Sequence, residues 1–177
     1  MEYRKNDIVT LEIVDCGTDG EGIGKADGFT VFVKDAVIGD TIMAKIMKAK
    51  KNYGYGRLME ILKPSPYRVE PVCPSARQCG GCQLQAVSYE EQKVFKEKKL
   101  RGHLERIGGF RDLPMEPMIG MDEPYHYRNK AQFPVGRNKE GRIITGFYAG
   151  RTHAIIENRD CALGIPQNKE ILDIVIA

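Results

Sequence analysis

Three cysteines fall within ten residues, in Cys73-Pro74-Ser75-Ala76-Arg77-Gln78-Cys79-Gly80-Gly81-Cys82, a C-x5-C-x2-C spacing with two glycines inside the short step. Thiolates this close need a loop that wraps a centre, and Gly80 and Gly81 permit backbone conformations that aim N–H groups at sulfur. Three neighbouring thiols without a metal bring no structural advantage, so the block points to metal or iron–sulfur ligation. Structural zinc sites usually pair two short steps, whereas this chain must find its fourth ligand far away. Cys161 is the candidate, because Cys16, in Asp15-Cys16-Gly17, reads as a small core residue. Three neighbours plus one remote cysteine suit an iron–sulfur centre better than a zinc ribbon. Neither the C-x2-C-x2-C-x3-C-P nor the C-x4-C-x2-C ferredoxin pattern is present, however.

The elements that must position these cysteines are bounded first by composition. A chain of 177 residues, 42% hydrophobic and 29% charged, makes one large domain or two small ones with a buried core. No apolar run approaches the ~20 residues of a membrane span, and Met1 to Asp7 lacks the apolar stretch of a secretory signal. A cytoplasmic protein with no membrane partner is expected, in which five cysteines, an odd number, do not form a disulfide frame. Twenty-seven Lys and Arg against 24 Asp and Glu give +3, too mild to argue for a polyanion partner. The distribution of charge must decide.

The first sixty residues carry the two-residue period of half-buried strands. Val9 to Ile13, Gly22 to Lys25, Phe29 to Val33, Thr41 to Lys48 and a run from Tyr53 predict five strands, punctuated by Gly17, Gly20, Gly24, Gly28 and Gly39. Ile42, Ala44 and Ile46 share one face of the fourth; Tyr53, Tyr55, Arg57, Met59 and Ile61 share one side of the fifth, where Gly54 and Gly56 leave room for a bend. Five strands in this length predict a partly open barrel of the OB type. Gly20-Glu21-Gly22-Ile23-Gly24-Lys25 is not a phosphate loop: Asp19 stands where a Walker motif needs Gly, and Ala26 where it needs Ser or Thr.

Charge collects late in this barrel. Lys45, Lys48, Lys50, Lys51 and Arg57 oppose Glu60 alone between positions 41 and 60, interleaved with Tyr53 and Tyr55. Cations beside rings that can stack on bases are the chemistry of single-strand binding; the alternative is a lysine-solvated strand edge. Ser88 and Glu91 then predict a capping box that opens a helix to about Ile107, with Leu100, Leu104 and Ile107 on one face and Gly108-Gly109 at its end. Arg128 to Val135, Arg142 to Tyr148 and His153 to Glu157 predict a small antiparallel sheet with a hairpin at Asn138 to Gly141. Seven positives, among them Arg128, Lys130 and Arg142, meet three negatives between 125 and 160, suited to phosphates.

The order of barrel, Cys73/Cys79-Gly80-Gly81-Cys82-Gln83-Leu84-Gln85, Tyr127-Arg128-Asn129-Lys130 and Asp160-Cys161 resembles the N-terminal part of the RNA (uracil-5-)-methyltransferases that act on 23S ribosomal RNA. The front sixty residues resemble a TRAM domain, through Gly22-Ile23-Gly24, Phe32-Val33 and Gly39-Asp40. The resemblance implies a 4Fe-4S cluster on Cys73, Cys79, Cys82 and Cys161, and an RNA partner, ribosomal RNA before transfer RNA. It also implies a monomeric full-length protein whose Rossmann-like domain holds S-adenosylmethionine and the catalytic cysteine.

The expected fold is mainly β with α: an OB-like TRAM barrel over 1–63, an iron–sulfur loop and helix over 64–110, and part of a central β domain over 111–177. The Rossmann-like domain is expected to be absent. A helix from Lys169 to Ala177 leaves Ile171, Leu172, Ile174, Val175 and Ile176 uncovered, and the reading is of a chain truncated before that domain, without catalytic residues or methyl transfer of its own. The rival readings are a zinc-bound RNA-binding module, a transfer-RNA methyltransferase portion and a small electron-transfer protein.

Overall fold

The computed structural model describes residues 3–177. Five strands, β1 (Ile8–Cys16), β2 (Gly22–Ala26), β3 (Phe29–Lys34), β4 (Thr41–Ala49) and β5 (Tyr53–Lys63), close into a barrel in the order β1-β2-β3-β5-β4. All neighbours are antiparallel except β3 and β5. The alternation in the sequence dictates the core: Leu11, Ile13, Val31, Val33, Ile42, Ala44 and Ile46 point inward and are fully or almost fully buried. Asp27 and Gly28 join β2 to β3 in two residues, both at positive φ (47° and 82°), the geometry of the hairpin turn that this dipeptide favours.

The fifth strand departs from simple alternation. Its pairing with β4 slips between Met43 and Ala44, so that Ile42 faces Ile61 while Ala44 faces Leu58. The bulge inserts a residue and reverses the phase, turning Ile61 toward the core with Leu58 and away from the side of Tyr53, Tyr55 and Arg57 on which strict alternation places it. Gly54 lies inside the barrel, where a Cβ would stand 2.9 Å from the Lys48 carbonyl oxygen and 3.0 Å from the Phe29 ring.

The exit from the barrel is held by one buried carboxylate. Asp40 is wholly excluded from solvent and accepts the backbone N–H of Val37 (2.7 Å) and of Ser65 (2.8 Å). Arg68 donates to it through Nε (3.0 Å) and Nη2, and to the Asp35 carbonyl (2.8 Å). Burial alone would raise the Asp40 carboxyl; the hydrogen bonds from Arg68, Ser65 and Val37 outweigh it and hold the group below its ordinary value.

The chain forms two compact units, one of residues 1–70 with 86–118 and one of 71–85 with 119–177. In the first, α1 (Tyr89–Arg106) begins where the capping signal places it, with Ser88 Oγ accepting the Glu91 N–H. The apolar face expected on this helix is not packed: α1 buries no residue, and Leu100 and Ile107 are exposed, because charges occupy its whole circumference. In the second unit, β6 (Val135–Arg137), β7 (Ile143–Tyr148) and β8 (Ile155–Glu157) make an antiparallel sheet, and α2 (Gln167–Ile176) packs on β7 through Leu172. The hairpin forms as expected, with Asn138 Oδ1 accepting from the N–H of Glu140 and Arg142. The first strand begins at Val135, not Arg128, since Pro134 has no N–H for a ladder, and Arg128 pairs instead with Gly164.

Candidate nucleic-acid interface and cysteine centre

The cysteine loop of the second unit is built from turns. Ala76 N–H donates to the Cys73 carbonyl and Cys79 N–H to that of Ser75, which curls the chain between the first two cysteines of the block. Gly80 then runs against β7: its N–H donates to the Tyr148 carbonyl (2.9 Å), and Cys79 forms a bridge with Ala149. A Cβ on Gly80 would stand 3.0 Å from both the Gly150 nitrogen and the Tyr148 oxygen, so a side chain there would press the two backbones apart by a few tenths of an ångström.

Cys73 and Cys79 are buried, Cys82 and Cys161 half-buried, and none is in a disulfide. Cys73 packs with Ala76, Ala162 and Tyr125, which brings the residue after Cys161 into the cluster around Cys73. The Cys82 thiol is pushed up by burial, opposed by a hydrogen bond from Gln85, and pushed further by Cys161, Cys79 and Cys73. All four thiols therefore share one electrostatic neighbourhood. Gly81 N–H points at Cys79 Sγ (3.3 Å) and Asn158 Nδ2 at Cys73 Sγ (3.5 Å), while Gln85 Oε1 accepts the Cys73 N–H (3.1 Å). Donors of this kind favour thiolate over thiol and are the usual surroundings of metal-bound sulfur. Among the described residues no three His, Cys, Asp or Glu side chains close on one point as ligands of a single ion.

Gln85 and Asn158 were not singled out by sequence. Gln85 stands three residues after Cys82 within the motif, a signal that was available; Asn158 lies 85 residues from Cys73, and nothing in its surroundings marks it. Cys16 lies elsewhere, at the end of β1 in the first unit. Burial first, then Glu21, push its thiol up to about 11, which leaves it protonated and unreactive.

The barrel gathers three aromatic residues, Phe32, Tyr53 and Tyr55, into one patch. Parallel pairing sets Phe32 beside Tyr55, and ring centroids are 5.6 Å apart for Phe32–Tyr55, 5.9 Å for Phe32–Tyr53 and 5.9 Å for Tyr53–Tyr55. Tyr53 and Tyr55 are exposed. Register brings cations to their edge: Lys48 opposes Tyr55, and Lys45 opposes Arg57, which on its other side pairs with Lys34. Lys50 and Lys51 occupy the turn into β5 and are exposed. Phe32 completes the platform and was missed, although its place in Phe29-Thr30-Val31-Phe32-Val33, out of phase with the buried Val31 and Val33, points it outward.

In the second unit Arg128 and Lys130 line an open pocket of about 410 Å³ with Ala131, Gln132 and Phe147. Arg142 is not part of it; its guanidinium pairs with Glu157 at 3.1 Å. His126 is fixed through Nδ1 to the Gly164 carbonyl at 2.9 Å, and His153 packs edge-on against Tyr148.

The TRAM domain family matches residues 4–59, the barrel that bears this aromatic patch. The chain carries a TRAM domain. Beyond it, the chain is 45% identical over 96% of its length to a protein named RNA methyltransferase from Halalkalibacterium halodurans, and 45% identical over 99% to another from Clostridium tetani. A third, from Bacillus cereus, is 43% identical over 96%. The chain spans 37%, 38% and 37% of these three relatives, respectively. The resemblance to RNA methyltransferases read from the TRAM barrel and the cysteine block thus extends over almost every residue. Among solved structures, the fold is like that of the Pyrococcus abyssi tRNA (uracil-54, C5)-methyltransferase, crystallised with S-adenosyl-L-homocysteine, at TM-score 0.59 and 23% identity over 94% of this chain and 35% of that one. That likeness concerns the fold. No helix among the described residues is long and apolar enough to cross a membrane.

Proposed function

We propose that this chain is the RNA-gripping and cluster-bearing portion of an S-adenosylmethionine-dependent RNA (uracil-C5)-methyltransferase acting on 23S ribosomal RNA. The observation that carries the reading is the TRAM barrel's ring platform of Phe32, Tyr53 and Tyr55, edged by Lys45, Lys48 and Arg57, in a chain homologous to proteins named RNA methyltransferases. Rings accept unpaired bases on their faces and cations hold the intervening phosphates, which suits RNA whose target base must be unstacked.

Cys73, Cys79, Cys82 and Cys161 are proposed to hold the 4Fe-4S cluster. In favour stand their shared neighbourhood and the N–H groups of Gly81 and Asn158 aimed at sulfur. Bound there, the cluster supplies a rigid anchor or an electron; the residues themselves supply thiolates and donors that stabilise their charge. The methyl donor and the nucleophilic cysteine are assigned to the part of such enzymes outside these residues. There a thiolate adds to uracil C6, C5 takes the methyl from the sulfonium, and loss of the C5 proton expels the thiolate. The portion acts in the cytoplasm within a monomeric enzyme.

The test is RNA binding by the chain itself. A single-stranded segment of 23S ribosomal RNA is expected to bind more tightly than a transfer-RNA arm, with affinity falling steeply as salt rises. Equal or stronger binding to the transfer-RNA arm would reassign the substrate, and no binding to either would end the reading.

A further inference from the structure

Both walls of the pocket in the second unit are tied through backbone to the loops that carry Cys79 and Cys161. On one side, Arg128 N–H donates to the Leu163 carbonyl (2.8 Å), Ile165 N–H to the Arg128 carbonyl (3.2 Å), and His126 N–H to the Ala162 carbonyl (3.0 Å). The loop that receives them starts at Cys161, whose own carbonyl accepts the Gly164 N–H (2.8 Å). On the other side, Phe147 immediately precedes Tyr148 and Ala149, the residues that pair with Gly80 and Cys79. Phe133 packs on Phe147 at 4.9 Å and fixes its ring. The lining supplies two cations, Arg128 and Lys130, one carboxamide, Gln132, and the Phe147 ring, around about 410 Å³. That set matches the parts of a nucleotide: an anion for the cations, a planar base for the ring, and a hydrogen-bonding edge for the amide.

We propose that this pocket is a one-nucleotide subsite for single-stranded RNA, and that the metal centre on the four cysteines keeps it in shape by anchoring both walls. The inference rests on the RNA-binding reading above and adds a second grip, separate from the barrel, whose competence depends on the centre. The loop that starts at Cys161 holds the segment that carries Arg128; Cys79 pairs with the end of the strand that carries Phe147. A chain whose centre has been lost retains the same residues but not their spacing.

The experiment measures fluorescence anisotropy of a labelled single-stranded oligouridylate of about ten nucleotides with the full chain, prepared without oxygen and then stripped of its centre by chelation. Arg128→Gln and Phe147→Leu keep the backbone pairing and the apolar packing, and each is expected to weaken binding roughly fivefold to a hundredfold in the intact protein. Arg128→Gln is also expected to make the dependence on salt shallower by about one contact. Gln132→Ala, at an exposed position, reports on the pocket without endangering the fold. Stripping the centre is expected to weaken the parent chain to the level of Phe147→Leu and to weaken Phe147→Leu little further, since both remove the same grip. Unchanged affinity in all three variants would overturn the subsite while leaving barrel binding intact. Full variant sensitivity after stripping would overturn the anchoring. Absence of binding by the parent chain would overturn the RNA reading on which both depend.

Discussion

Replacing Arg68 by alanine tests the packing that fixes the end of the TRAM barrel. Asp40 is fully buried, and of its four donors the substitution removes two, leaving the backbone N–H groups of Val37 and Ser65 at 2.7 and 2.8 Å. Breaking a buried ion pair by deleting one partner costs about 3–5 kcal/mol, because the remaining charge stays out of water. An upper limit follows from protonation: neutralising a carboxyl of ordinary pKa ~4 at pH 7 costs about 4 kcal/mol, so Asp40 takes up a proton before the loss grows larger. A loss of about 3–4 kcal/mol lowers the midpoint of thermal unfolding by roughly 12 °C or more in a domain of this size.

The assay is urea unfolding followed by circular dichroism, with Asp40→Asn and the double variant completing a cycle in which the two losses do not add. The pH dependence has a fixed sign. The Asp40 carboxyl is held below its unfolded value, so its contribution is fully present above about pH 4 and is lost as the pH falls through the folded value. Arg68→Ala should lack that acid-side loss. A change below about 1 kcal/mol at neutral pH, as at exposed ion pairs, would refute the argument.

Further outcomes follow from the same geometry. Alanine at Phe32 should weaken single-stranded RNA binding as much as alanine at Tyr53 or Tyr55, by about 1–3 kcal/mol each in a filter or anisotropy assay; indifference at all three would remove the platform. Asn158→Ala removes the N–H directed at Cys73 and should lower the reduction potential of the proposed cluster on the order of tens of millivolts, read by redox titration of the visible spectrum. The Cys16 thiol, pushed up to about 11, should resist iodoacetamide at pH 8 in the folded chain; rapid labelling there would contradict its burial.

Sequence patterning reached the barrel because one face of each strand is buried and the other wet, so period-two alternation at Ile42, Ala44 and Ile46 translates directly into orientation. It failed at Ile61, where a bulge shifts the phase by one residue, a pairing defect without a local mark in the sequence. The nearness of Cys73, Cys79 and Cys82 was legible because residues of one short loop must be near each other. The partners of that loop were not: Cys79 pairs with Ala149 and Asn158 reaches Cys73 across stretches without shared periodicity. For the same reason the grouping of 71–85 with 119–177, and of α1 with the barrel, emerges from the structure alone. The strip of Arg128 and Lys130 was visible as charge, and Gln132 stands beside it in the chain, but Phe147 becomes its neighbour only once β7 is laid down.

The most direct measurement is the iron and acid-labile sulfide content of the chain purified without oxygen, beside that of Cys161→Ser. The account predicts a brown protein with about four of each per chain, and loss of both together with the visible absorbance in the variant. A colourless protein with one zinc, or iron retained undiminished in Cys161→Ser, would contradict it.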